Sequence, residues 1–299
     1  MKKISPVISS RRTYRKLFIF LITLSNSLLI TACGGSSTSV SMPQPPTTTP
    51  PLTESPITPP PVTPPTAPQQ PATNPLYNLN FIESYKLDVP EPSGLSWALN
   101  HKDFYVVDDR TNTVFEIDKQ GNTLRYNYHY AGKDLEGISI DPASQTVWLA
   151  EESKSRLKQL DADGNEINSY KLEIVRDSKK HSLEGISYDP VENNFYILNE
   201  KDPGLLIRWQ PELGMTDQTL LNFAGDYSGI FFDQTDSSLW IISDQSQKLF
   251  HCDTDGVVIQ SFELGFKKAE GIVVDRENER IYAVSDTKHR LYVYSLTPQ

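Results

Sequence analysis

Three Glu-Gly-Ile tripeptides, at Glu136, Glu184 and Glu270, place a carboxylate directly before a glycine at the head of an apolar run. Five more carboxylates, Asp109, Glu152, Glu200, Asp244 and Asp286, each follow the end of a second apolar run such as Phe104-Tyr105-Val106-Val107 or Val147-Trp148-Leu149-Ala150. In an antiparallel hairpin the start of one strand and the end of the next lie at the same edge, so the eight side chains converge if these runs are paired strands. Like charges brought together raise one another's pKa. The group must therefore be spread in water, partly protonated, paired with Lys or Arg, or neutralised by a cation. An all-oxygen set suits a hard ion, calcium above all, which accepts six to eight oxygens at flexible geometry. The same pattern also arises where charged residues simply end strands, and Lys133, Lys180, Lys267 and Lys268 lie nearby in sequence to balance them.

A repeat supplies the convergence. The three tripeptides belong to five related stretches, the others being Pro92-Ser93-Gly94-Leu95-Ser96 and Tyr227-Ser228-Gly229-Ile230-Phe231. Their glycines fall at 94, 137, 185, 229 and 271, in steps of 43, 48, 44 and 42 residues. A period of about 40 to 50 is that of radial β-architectures. Each repeat continues through a turn rich in Pro, Asp, Asn or Ser and a second, wholly apolar run, as expected of strands buried between sheets. A third run then alternates, as in Val114-Phe115-Glu116-Ile117-Asp118, and is expected to be less deeply buried. Asp-x-x-Gly turns at Asp118, Asp161 and Asp253 lead to a fourth strand. The last repeat stops at Gln299 after its third run, whereas residues 80–87, ahead of the first repeat, read like the fourth strand of the second repeat, residues 165–172. The prediction is all-β: a five-bladed β-propeller of four-stranded blades, closed by an N-terminal strand completing the last blade, which removes an open sheet edge.

Three zones divide the chain. Residues 1–32 carry a basic start (Lys2, Lys3, Arg11, Arg12, Arg15, Lys16) and a short apolar run, and read as a signal peptide, not a membrane span. Ile30-Thr31-Ala32-Cys33 resembles the bacterial lipobox, which implies lipidation of Cys33; Gly34 after it resembles outer-membrane sorting, and Arg11-Arg12 a twin-arginine signal. Residues 33–75 form the lipid-anchored Cys and a Pro/Thr-rich linker with too few apolar residues for a core. Residues 76–299 are the propeller domain. Removing the signal takes 6 of 28 basic residues, leaving 22 against 38 acidic ones and a charge of −16. Such a charge argues against nucleic acid and points to cations and basic partners. Cys252 is the one cysteine left in the folded zone, expected as a small buried hydrophobe without a disulfide.

Nucleophile-elbow, His-Glu-x-x-His and phosphate-loop motifs are absent from the sequence. His181, three residues before Glu184, is the histidine that the repeat alignment places in a loop entering the acidic edge, as a general base or outer ligand. Trp97, Trp148, Trp209 and Trp240 are expected in the core, and Tyr227 at the mouth against a ligand or partner. Ser93 and Ser228 replace Glu in repeats one and four, which centres any metal site between repeats two and three.

The Glu-Gly-Ile repeat, the Asp-x-x-Gly turns and the lipobox together resemble the SdiA-regulated family, the YjiK-like bacterial lipoproteins, over residues 80–299. The resemblance implies a five-bladed propeller distantly similar to NHL-repeat proteins and a calcium site. Carried onto this chain, its ligands are drawn from Glu136, Glu184, Glu270, Glu152, Glu200, Asp109, Asp244 and Asp286. The function expected is that of an envelope-anchored lipoprotein, at the outer membrane, whose monomeric propeller binds calcium and acts as a binding or protein-interaction module. Its partners are the membrane through the lipid, an envelope protein or a small ligand, and no nucleic acid. The alternative is a metal-dependent hydrolase of small esters, lactones or phosphoesters, since regucalcin-type enzymes also place a Glu before a Gly on an inner propeller strand.

Overall fold

The strand β1 (Tyr77–Lys86) comes first in sequence and last in the ring. It pairs antiparallel with the final strand, β20 (Arg290–Pro298), from Tyr77 against Pro298 to Lys86 against Arg290. The computed structural model describes residues 75–129, 134–174 and 183–299. The predicted signal, Cys33, the linker, Lys133, Lys180 and His181 lie outside these residues.

Four further sheets complete five blades of four antiparallel strands. The first blade holds β2 (Pro92–Trp97), β3 (Phe104–Asp108), β4 (Thr113–Ile117) and β5 (Thr123–His129). The second holds β6 (Leu135–Asp141), β7 (Thr146–Glu151), β8 (Arg156–Leu160) and β9 (Glu166–Lys171). In the third are β10 (Leu183–Asp189), β11 (Asn194–Asn199), β12 (Leu205–Gln210) and β13 (Gly214–Leu220). The fourth comprises β14 (Gly229–Asp233), β15 (Ser238–Ser243), β16 (Lys248–Cys252) and β17 (Val258–Glu263). Finally, β18 (Ala269–Asp275) and β19 (Arg280–Ser285) join β20 and β1 in the fifth. The closing strand runs three residues further back than the sequence indicates, because Tyr77, Asn78 and Leu79 continue the ladder with β20.

Five apolar clusters fill the five seams between neighbouring blades, and each draws from both sides of its seam. The second-strand runs are buried along their whole length, as their apolar composition on both faces requires. The third strands are less deeply buried than the second ones, as expected, in β8, β12 and β20. The exception is β4, every residue of which is buried, Glu116 included. The cost of burying that carboxylate is offset by an ion pair with Arg125 on β5 at 2.5 Å. Exposure is greatest on the outermost strands, such as β9 and β13.

Cys252 is wholly buried and unbridged, and burial pushes its thiol up to about 12. The Asp-x-x-Gly turns form as read. At the second, the Asp161 carboxylate accepts from the Asp163 and Asn165 amides, and Gly164 takes the φ of 85° that the turn needs. Closure is locked at the head of β1. The Tyr77 hydroxyl donates to Asp236 at 2.8 Å, its ring lies under the Arg276 guanidinium at 4.4 Å, and its edge meets the buried His251 at 5.4 Å. Among the described residues, no helix is long and apolar enough to cross a membrane.

Candidate functional site at the acidic mouth

The Glu-Gly pairs are β-bulges. The register between first and second strand slips between Leu135 and Gly137, between Leu183 and Ile186, and between Ala269 and Ile272, and the first blade slips likewise between Pro92 and Leu95. A bulge takes one residue out of the ladder and re-aims its side chain, here into the end of the channel. The glycine is required by its neighbour. A Cβ on Gly94 would stand 2.6 Å from the Glu136 carbonyl oxygen, and one on Gly185 would stand 2.8 Å from the Ile230 amide nitrogen. Added Cβ atoms on Gly137, Gly229 and Gly271 would likewise run into the backbones of Glu184, Glu270 and Leu95. Five first strands thus meet at the axis without side chains between them. The space left there is about 10 Å³, room for one water at most.

Above this neck, seven of the eight predicted carboxylates line one cavity of about 200 Å³: Asp109, Glu136, Glu184, Glu200, Asp244, Glu270 and Asp286. The eighth, Glu152, stands beside them. One oxygen each of Glu152, Glu184 and Glu200 lie within 4.8 Å of one another, at the junction of the second and third blades. Two oxygens bound to one calcium at about 2.4 Å are at most about 4.8 Å apart, so this triad is spaced to share an ion. Lys268 reaches into the cavity and holds Asp244 at 3.1 Å, while Lys201 pairs with Glu200.

Crowding and burial act together on these groups. Burial, then the charges of Asp109 and Glu152, push Glu136 up to about 8, with a Ser93 hydrogen bond opposing. Burial followed by the charges of Glu136, Glu270, Glu200 and Glu152 raises Glu184 well above the usual carboxylate range. Glu270 is raised by burial although Lys268 pulls it down. Burial and a hydrogen bond with Glu91 bring Asp109 to about 7. Without a cation, the mouth therefore holds protons near neutral pH, one of the outcomes that like-charge crowding allows.

The residue before each strand-end carboxylate has a different task. Asp108, Glu151, Asn199, Ser243 and Ser285 are all wholly buried, and each ties down a loop at the mouth. Asp108 accepts from the Thr111 amide at 2.8 Å, Glu151 pairs with Arg156 and with Lys154 at 3.0 Å, and Asn199 donates to the Pro203 carbonyl at 2.7 Å. Ser243 donates to Asp226 at 2.6 Å and Ser285 to the Lys267 carbonyl at 2.7 Å.

Sequence reasoning missed Asp226, which lines the cavity and also accepts from the Gln245 amide at 3.0 Å. It sits three residues before Gly229, and the same column holds Glu91 and Asp134 before Gly94 and Gly137, a recurrence visible in the repeat alignment. Tyr227 is a correction. It is 2% exposed in the seam between the third and fourth blades, where its hydroxyl accepts from the Phe223 and Ala224 amides. Its column, two before each glycine, also contains Leu135, Leu183 and Ala269, each wholly buried, because alternation points it into the seam and the next residue into the mouth.

The comparisons with known proteins agree with this architecture. The SdiA-regulated family model matches residues 82–295, and the chain belongs to that family. Among solved structures, it is similar to the glutaminyl cyclase of Myxococcus xanthus (TM-score 0.59, 12% identity, covering 74% of this chain and 97% of that one). It is also similar to a luciferin-regenerating enzyme (TM-score 0.52, 14% identity, covering 74% and 95%). At such identities the likeness is one of fold.

Proposed function

We propose that this protein is an envelope lipoprotein whose propeller holds a calcium ion in the acidic mouth and serves as a binding or interaction module. Family and fold support a propeller of that general kind. The observation that carries the cation is the Glu152, Glu184 and Glu200 cluster, beside which Glu136, Glu184 and Glu270 have their pKa values raised by burial and by neighbouring carboxylates. An ion there would offset the burial and the repulsion that otherwise favour protons on Glu136 and Glu184. The oxygen-only donor set suits calcium and gives nothing to a metal that prefers nitrogen or sulfur. The lipobox at Cys33 and the linker up to residue 75 support anchoring, and Cys33→Ser is expected to release the protein from membranes. In this reading a calcium titration by calorimetry shows one site of micromolar or tighter affinity, and it loses that site in Glu184→Gln; a wild-type titration without heat overturns it.

A hydrolase acting on small esters, lactones or phosphoesters is the second reading, favoured by one observation. A carboxyl raised to about 8 at Glu136 remains protonated at neutral pH, as a general acid must. Turnover of an ester or lactone that disappears in Glu136→Gln would support it, whereas calcium binding without turnover leaves the module.

A further inference from the structure

The neck has a second side. Beyond the five glycines the ring opens again into a cavity of about 340 Å³ on the face opposite the carboxylates. Its floor is Leu95, Ile138, Ile186 and Ile230, the residues that directly follow four of the glycines. Its wall includes Trp97, Tyr188 and Phe231, all partly exposed although the repeat pattern marks them as strand-core positions. Such a cavity lies within the roughly 300–1,000 Å³ range of clefts that enclose small ligands, and it has their usual make-up of apolar walls under a polar rim.

The rim narrows the ligand's chemistry. Two cations line it, and both are already matched. Lys119 binds Asp275 at 2.7 Å with its ammonium 5.0 Å over the Trp97 ring, and Arg276 pairs with Asp233 and, at 2.9 Å, with Asp236. Two of the wall hydroxyls are also committed, Ser139 accepting from the Tyr188 amide at 3.0 Å and Ser187 from the Phe232 amide at 2.8 Å. An anionic guest would have to break a rim pair, and a cationic one would find only the exposed Glu277 carboxylate, away from the apolar floor, as a counter-ion; carrying a charge onto that floor is costly in either case. In the fourth blade Phe231 stands where the first three carry Ser96, Ser139 and Ser187, so the bridge that Ser139 and Ser187 each make to the next blade gives way to an aromatic wall on that side.

We propose that this cavity is a binding site for an uncharged, largely apolar small molecule with an aromatic or branched-aliphatic body. It is separate from the acidic mouth, because the glycine neck admits nothing larger than water between the two. The site does not depend on calcium or on the reading of the other face.

Fluorescence titration of the protein with 1-N-phenylnaphthylamine, an uncharged probe that brightens in apolar surroundings, tests this. Saturable one-site binding is expected. It should weaken at least tenfold in Ile186→Phe, which fills the floor, and remain within twofold of wild type in Leu220→Gln, an exposed position on the outermost strand of the third blade. Gln234 is an exposed residue of the rim, so Gln234→Trp narrows the opening without touching the core and is expected to shift the affinity at least threefold. Binding that never saturates, or that is the same in wild type, Ile186→Phe and Gln234→Trp, overturns the site. Equal affinity for the sulfonated analogue anilinonaphthalene sulfonate overturns the uncharged class.

Discussion

Both mouths of the ring are built from the same five first strands, four of them bulged, yet one is walled by carboxylates and the other by Leu, Ile and aromatic rings. The residue before the glycine is aimed by the bulge into the first, and the residue after it forms the floor of the second. Glu184-Gly185-Ile186 thus serves three places at once: an ion-spaced triad, a neck and an apolar floor. Polar side chains at one edge of a first strand and apolar ones at the other give two surfaces of different chemistry, with the ladder between them kept. The acidic mouth crowds more carboxylates than Lys268 and Lys201 can balance, whereas the two cations at the rim of the apolar mouth are already paired. The first is therefore expected to respond to pH and to cations, and the second to neither.

Removing the head of the chain should break both mouths together. Deleting residues 77–86 strips β20 of its partner and takes Tyr77 out of the seam between the fourth and fifth blades. Since a domain's whole stability is about 5–15 kcal/mol, the deletion is expected to abolish cooperative melting; a sharp transition at the wild-type temperature would show that the ring does not need this strand.

The neck comes next. Gly94→Ala puts a methyl group 2.6 Å from the Glu136 carbonyl oxygen and 3.0 Å from the Ile138 amide nitrogen, backbone atoms on the bulge that shapes both cavities. Overpacking of this kind costs about 3 kcal/mol, and chemical denaturation should register it. A loss below about 1 kcal/mol would mean that the strands do not meet as closely as described.

A smaller effect separates the two faces by pH. In the calcium-free protein Glu136 titrates near 8, against an ordinary value of 4.5. The folded state then binds the proton more tightly than the unfolded one. This contribution to stability is complete below about 4.5 and is lost as pH rises through about 8. The buried His251 has its pKa lowered, so it costs stability only on the acid side of its ordinary value of 6.5. Between about pH 7 and 9 the calcium-free melting temperature is therefore expected to fall, while probe affinity at the apolar mouth stays flat. A melting temperature that rises over this interval would contradict the raised carboxyls.

Much of this was legible because the repeat is written in small, separable signals. The glycine spacing, the missing fourth strand at Gln299 and its substitute ahead of the first repeat were enough for five closed blades, since each repeat must bury its faces against a neighbour. The acidic convergence was legible from hairpin geometry alone. What stayed hidden depended on which way a side chain turns. Tyr227 was placed at the mouth because it adjoins Ser228, although its column alternates into the seam. Asp226 was passed over because its column precedes the motif. The bulge at each Glu-Gly could not be read from alternation, since a bulge breaks the period by which strands are recognised. The apolar cavity escaped for a simpler reason: Ile138, Ile186 and Ile230 are the residues that a buried strand would also use, and only the opening of the ring beyond the neck distinguishes a floor from a core.

The measurement closest to the central claim is the melting temperature of the protein with calcium and after chelation, taken beside the Glu152→Gln, Glu184→Gln double variant. The account predicts a rise of several degrees with calcium in the wild type, none in the double variant, and a variant that melts at or above the calcium-free wild type because repulsion has been removed. A wild type indifferent to calcium, or a double variant stabilised as strongly as the wild type, would contradict the acidic mouth as the cation site.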